Sequence, residues 1–161
     1  MENIEKSFLI HFINGLANTY NEYMEKFPEL LGLKNNDDHD YDSSEKVTVN
    51  VGFAGKFSGN MTISFDKKVV FKMYEIINEE NISNVDDEVL FMISEFGNMI
   101  AGNAITIINN KNKGYDLRLS PPGVMYGETM KIFNFNQSNY RSIFKTDNGS
   151  IVLNISIKEE F

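Results

Sequence analysis

Cysteine is absent from the 161 residues, which excludes disulfides, thiolate metal centres and thiol nucleophiles. Histidine occurs only at His11 and His39, so a histidine-based triad has little material to draw on. Positive charge is scarce. With 15 Lys and Arg against 23 Asp and Glu, the net charge is −8, which argues against nucleic acid as a main partner, because phosphates demand Lys and Arg. No apolar run approaches the ~18 residues of a membrane span, and the opening MENIEKSF is acidic and polar, unlike a signal peptide. These features suit a cytoplasmic protein without a membrane partner. Phosphate-binding signatures are missing too: GKFSGN at 55–60 has its Gly and Lys in the wrong order for a P-loop, and no Rossmann glycine pattern follows a strand.

What the chain does contain is core material. Hydrophobic residues make up 42%, with 13 Phe and 7 Tyr, so wholesale disorder is excluded and a single domain over residues 1–161 is expected. Ile4, Phe8, Phe12, Leu16, Tyr20, Tyr23 and Phe27 step by three or four, predicting a helix over about 3–27 that Pro28 stops. His11 and Asn14 lie beside that stripe, and His11 reads as a titrating boundary group. Residues 34–45, KNNDDHDYDSSE, have no periodicity and read as a mobile loop. Asp37, Asp38, His39, Asp40 and Asp42 offer oxygen ligands there, but the Gly and closing Glu of an EF-hand are missing and no metal site is expected.

Lys46–Phe53 and Phe57–Phe65 alternate strictly around Ala54-Gly55-Lys56, which predicts an antiparallel hairpin. Asp66 is placed to cap a short helix over 67–78. Strands are predicted at Tyr115–Leu119, Val124–Tyr126 and Met130–Phe135, with Ser120-Pro121-Pro122-Gly123 at an edge or bend because two prolines remove two donors. Arg141–Thr146 and Ser150–Lys158 flank Asp147-Asn148-Gly149, a strong hairpin signal. The fold class expected is α+β: an antiparallel-rich sheet with two long helices packed side by side, built as two loose copies of a helix-plus-strands unit.

The second long helix is predicted over Ser83–Asn112, capped by Ser83 or Asn84. At 100° per residue Val89, Ile93, Phe96, Ile100, Ala104 and Ile107 face the core. Glu88, Phe91, Glu95, Asn98, Gly102, Thr106 and Asn109 take the opposite side. Glu95 and Asn98 are three apart and therefore neighbours, and Gly102 leaves a shallow place where another backbone could approach. An acid and an amide can hold a water, or a partner's charged group, in an attacking geometry without becoming nucleophiles. The pattern Glu-x-x-Asn alone carries nothing, since 14 Glu and 21 Asn give about two chance occurrences. It occurs at Glu75–Asn78 as well as at Glu95–Asn98.

The surroundings separate the two copies. SEFGNMIAGNA at 94–104, followed by LSPPGVMYG at 119–127 and preceded by the Gly-rich hairpin GFAGKFSGNMTISF at 52–65, resembles the CheX branch of the CheC/CheX/FliY phosphatases of bacterial chemotaxis. The resemblance runs from the first helix to the last strands. It implies a phosphatase that hydrolyses the aspartyl phosphate of a CheY-type receiver. Glu95 would engage the receiver's active-site Lys and Asn98 would position the attacking water. The chain would need no cofactor of its own, the Mg²⁺ belonging to the receiver, and it would form a homodimer. CheC-like members carry two motifs; the single one here points to CheX, and Glu75 and Asn78 receive no role. Receiver sites are themselves acidic, so recognition would rest on local contacts, for which Phe91, Met92, Met99 and Gly102 are the candidates. The competing readings are a non-catalytic receiver- or motor-binding adaptor and, more weakly, a small-molecule sensor.

Overall fold

The computed structural model describes residues 2–35, 44–128 and 138–160. Seven strands form one antiparallel sheet, and three helices accompany it: α1 (Glu2–Met24), β1 (Glu29–Asn35), β2 (Glu45–Ala54), β3 (Phe57–Asp66), α2 (Lys67–Asn78), α3 (Asp87–Lys111), β4 (Arg118–Leu119), β5 (Gly123–Glu128), β6 (Ser138–Thr146) and β7 (Gly149–Glu159). The α+β expectation holds. Strand order is β1-β6-β7-β3-β2, with β4 and β5 both on the outer side of β2.

That order explains the two loose copies. Each half is a long helix, a lone strand and a hairpin: α1-β1-β2-β3 and α3-β5-β6-β7. The lone strand of each half pairs with the hairpin of the other, β1 with β6 and β5 with β2, and the hairpins meet at β3–β7. Strict alternation in the three central strands sends every second side chain to one face. Rows run across them in register, Val49–Ile63–Leu153 and Val51–Met61–Ile155, and all six residues are fully buried. Each such side chain stabilises the fold by about 1.5–3 kcal/mol.

On that face α1 and α3 lie antiparallel. A Cβ on Gly15 of α1 would lie 3.4 Å from the Ile100 carbonyl oxygen, and Tyr23 reaches Phe96 with ring centroids 6.1 Å apart. Phe8 meets Phe57 edge-on at 5.1 Å, Phe12 stacks on Phe53 at 5.9 Å, and Phe96 meets Phe65 edge-on at 5.9 Å. By length and composition α3 resembles a membrane span. Its apolar stripe is instead spent on the core, with Val89, Ile93, Phe96, Ile100 and Ile108 buried.

Several boundaries differ from expectation for identifiable reasons. Helix α3 starts later than Ser83 because Asp86 is the cap, its carboxylate accepting from the Val89 amide at 3.0 Å, a contact that stabilises a helix by about 1 kcal/mol. Ile107 is exposed, since Ala101, Ile105 and Ile108 complete the buried stripe that Ala104 shares. Helix α1 ends at Met24, which leaves Phe27 outside it and exposed. Asp66 precedes α2 without a side-chain cap bond. Its carboxylate instead takes Lys46 and the Ser150 amide at 2.8 Å, tying β3 to the turn between β6 and β7. Strand β1 had no counterpart among the expectations, and its last two residues, Lys34 and Asn35, fall in the stretch read as a loop. The strand expected at 130–135 and the acidic residues 37–42 lie outside the described residues.

Candidate functional site

The site is a stripe on the solvent side of α3. Phe91 is 67% exposed, Glu95 is exposed, and Asn98 and Gly102 are half-buried. They recur at helical spacing, so they stand in one line, with about 5–6 Å between the Cβ atoms of Glu95 and Asn98. Neither the Glu95 carboxylate nor the Asn98 amide has a hydrogen-bond or ion-pair partner among the described residues. Both functional groups are therefore free for something outside the chain.

Their scaffold is rigid, and Gly97 is the reason it fits. A Cβ there would lie 2.7 Å from both methyl groups of Val49, so only glycine lets α3 press this closely onto β2. Gly102, five residues on, has open space where its Cβ would be. Tyr23 of α1 donates its hydroxyl to the Met99 sulfur at 3.6 Å and packs on Phe96. Met99 thus faces α1 beside the stripe, and Met92 sits on the other flank, facing α2.

The ends of α3 are held as firmly. At its C-terminal end the Asn109 side chain turns away from solvent. It donates to the Leu117 carbonyl at 2.9 Å and accepts from the Leu117 amide at 3.0 Å. Ser120 then accepts from the Gly52 amide through its hydroxyl at 2.9 Å and donates its own amide to the Gly52 carbonyl at 2.8 Å. Pro121-Pro122 consequently forms a bend between β4 and β5 along the edge of β2, as their missing donors require. At the N-terminal end Tyr74 of α2 donates to Glu88 at 2.9 Å. Gly97 and Tyr74 were not singled out from sequence, and Tyr23 was read only as part of the first helix's apolar stripe. Gly97 left a signal of its own, a glycine on the buried side of a long helix.

An acid and an amide on the rounded surface of a helix cannot exclude water or enclose a small substrate. Among the described residues no group of His, Asp or Glu could hold a metal ion. Whatever chemistry this pair performs must be completed by a pocket that a partner supplies. The other Glu-x-x-Asn pair differs in this respect: Glu75 is paired with Lys72 at 3.6 Å and the Asn78 amide donates to the Tyr74 carbonyl at 3.3 Å.

The fold defines the class of protein. A CheC-like superfamily protein from Shewanella sp. PV-4 superimposes with a TM-score of 0.85 at 19% identity, over 94% of this chain and 97% of that one. The chemotaxis protein CheX from Vibrio vulnificus gives 0.84 at 21% identity, over 94% and 99%. The CheX–CheY–BeF3–Mg²⁺ complex from Borrelia burgdorferi gives 0.78 at 27% identity, over 94% and 98%. No curated protein matches the sequence. Residues 47–144 match the chemotaxis phosphatase CheX family, and the chain belongs to that family.

Proposed function

We propose that this chain hydrolyses the aspartyl phosphate of a CheY-type receiver, with Asn98 holding the attacking water and Glu95 engaging the receiver's active-site lysine. The observation that carries the reading is the unpartnered Glu95–Asn98 pair on an exposed, rigid helix face, within a family of chemotaxis phosphatases. A convex acid–amide pair is suited to entering another protein's pocket. There it would fix a water in line with phosphorus, where positioning is worth orders of magnitude in rate. The related Borrelia burgdorferi protein forms a complex with CheY, BeF3 and Mg²⁺. We take the Mg²⁺ to come with the receiver here as well. Phe91, Met92 and Gly102 would line the contact, with Met99 supporting it from the α1 side.

The test is to add the protein in catalytic amounts to receivers charged with a small-molecule phosphodonor and follow phosphate release. Faster release, by many turnovers per chain, is expected. Binding without acceleration would leave the adaptor reading.

A symmetric homodimer is also proposed. Strand β1 is a sheet edge beside exposed Phe27, Leu31 and Leu33, and an uncovered apolar edge invites pairing. Light scattering that finds only the 18.4 kDa chain would count against it.

A further inference from the structure

Beside the Glu95–Asn98 stripe, the C-terminal half of α2 and the first turns of α3 leave an open groove. Its floor is apolar, from Ile77, Met92 and Phe91, and its rim is acidic, from Asp87 and Glu88, with Tyr74 between them. We propose that this groove is the surface that selects the receiver, taking an apolar side chain flanked by a Lys or Arg from the same protein that presents its aspartyl phosphate to Asn98. The inference rests on the receiver-phosphatase reading and names the part of the partner that decides affinity.

Three observations carry it. Phe91 is the most exposed large hydrophobic side chain of the described residues, and it is the lining residue of the groove nearest Glu95 in sequence. It lies one turn before Glu95 and two before Asn98, about 10 Å along the axis. That is well inside the patch of about 800 Å² per partner that a specific interface covers. One receiver seated over Asn98 therefore also covers the groove.

The second observation is the charge. The Tyr74 hydroxyl is bonded to Glu88, and the charges acting on it are those of Glu88, Glu80 and Asp86, all negative; with burial they push it up to about 12. Among the described residues no cation offsets them at this hydroxyl. An occupant carrying positive charge beside an apolar anchor matches this surface, and an acidic one is repelled.

The third is its place in the fold. Helix α2 follows the first hairpin, and the second half has no counterpart to it among the described residues. The α2–α3 groove therefore has no copy in the second half, and the hollow where α2 meets α1 carries Lys26, Lys72 and Lys145 in place of an acidic rim.

The experiment uses a CheY-type receiver loaded with beryllium fluoride and Mg²⁺ for binding, and the phosphorylated receiver for turnover. Phe91→Ala and Asp87→Asn alter exposed side chains, and melting curves would verify that both fold. Phe91→Ala is expected to raise Kd and KM about tenfold with kcat unchanged. Asp87→Asn should raise them about threefold and flatten the loss of affinity with added salt. Unchanged Kd for both variants overturns the proposal. So does a fall in the mass of the free protein on Phe91→Ala, which would make the groove a contact between copies. Asn98→Ala separates the two ideas: if it keeps wild-type turnover the hydrolytic reading fails, while the binding arm still decides the groove.

Discussion

Helices α1 and α3 hold equivalent places in the two halves of the sheet, yet only α3 carries an exposed acid three residues before an outward amide at the matching positions. Aligning Phe12 with Phe96, each in contact with a phenylalanine of the sheet, brings His11 opposite Glu95, Asn14 opposite Asn98 and Asn18 opposite Gly102. The backbones are interchangeable at this level; the outer side chains are not. The α3 face offers an acid, an amide and an opening beside an apolar groove. The α1 face offers an imidazole, an amide and a filled position. On the proposed reading the same architecture supplies scaffold twice and chemistry once, with the function in a few outward residues and not in the fold.

The comparison breaks most sharply at Asn98. Asn98→Ala is expected to fold normally, since substitutions outside the core shift stability by under about 0.5 kcal/mol. It should still bind the phosphorylated receiver and lose about 100-fold or more in dephosphorylation rate, because positioning acts only as the reaction proceeds. Glu95→Ala should act largely through affinity, raising KM about tenfold, or roughly 1.4 kcal/mol. Glu75→Ala, which loses only the surface pair with Lys72, should stay active. The measurement is receiver-phosphate lifetime with each variant in catalytic amounts. Wild-type turnover by Asn98→Ala would sink the mechanism.

Two glycines on the same helix sharpen the contrast between buried and outward faces. Gly97→Ala forces a methyl to within 2.7 Å of the Val49 methyls. Overpacking of that kind costs about 1–3 kcal/mol, which outweighs the roughly 1 kcal/mol of helix propensity that alanine brings. Urea unfolding should show a net loss. Gly102→Leu meets open space, so it should keep or raise the melting temperature while blocking the receiver. Unchanged receiver affinity would show that the partner does not pass over this turn.

How much of this was legible in the sequence depends on where the information sits. Strands β2 and β3 were readable because Val47, Val49 and Val51 alternate with polar residues, and α2 because its apolar residues keep helical spacing. Strand β1 was not. Leu30 and Leu31 are adjacent, a bulge interrupts the register between Leu30 and Gly32, and Leu31 and Leu33 are exposed, so no buried face writes a pattern. Its strand character comes from β6, far along the chain. The exchange of lone strands between halves is invisible for the same reason, being long-range pairing with no local signature. At the site, periodicity put Glu95 and Asn98 on one face. Their separation from Glu75 and Asn78 needed the flanking family pattern, and the groove needed α2 and α3 to meet.

The smallest effect concerns the silent face. His11→Glu recreates Glu-x-x-Asn on α1, and dephosphorylation should not rise above wild type. Asn18 stands where α3 has an open glycine, and the hollow beside α1 carries Lys26, Lys72 and Lys145 where the α2–α3 groove carries Asp87 and Glu88. Applied to Asn98→Ala, the same change should not restore activity; any restoration would mean that the helix pair alone is sufficient and the groove dispensable. The titration of His11 gives a second reading of this face. Its pKa is lowered first by burial and then by the Lys111 charge. Because the folded value lies below the ordinary 6.5, the stability His11 contributes is complete above about pH 6.5 and lost as the pH falls through the folded value. Lys111→Ala should move the His11 resonance titration partway back up in NMR, burial remaining as the larger cause. A complete return to 6.5 would show that Lys111, not the packing of α1, sets it. Dephosphorylation by Lys111→Ala should match wild type, as expected of a face that only holds the fold.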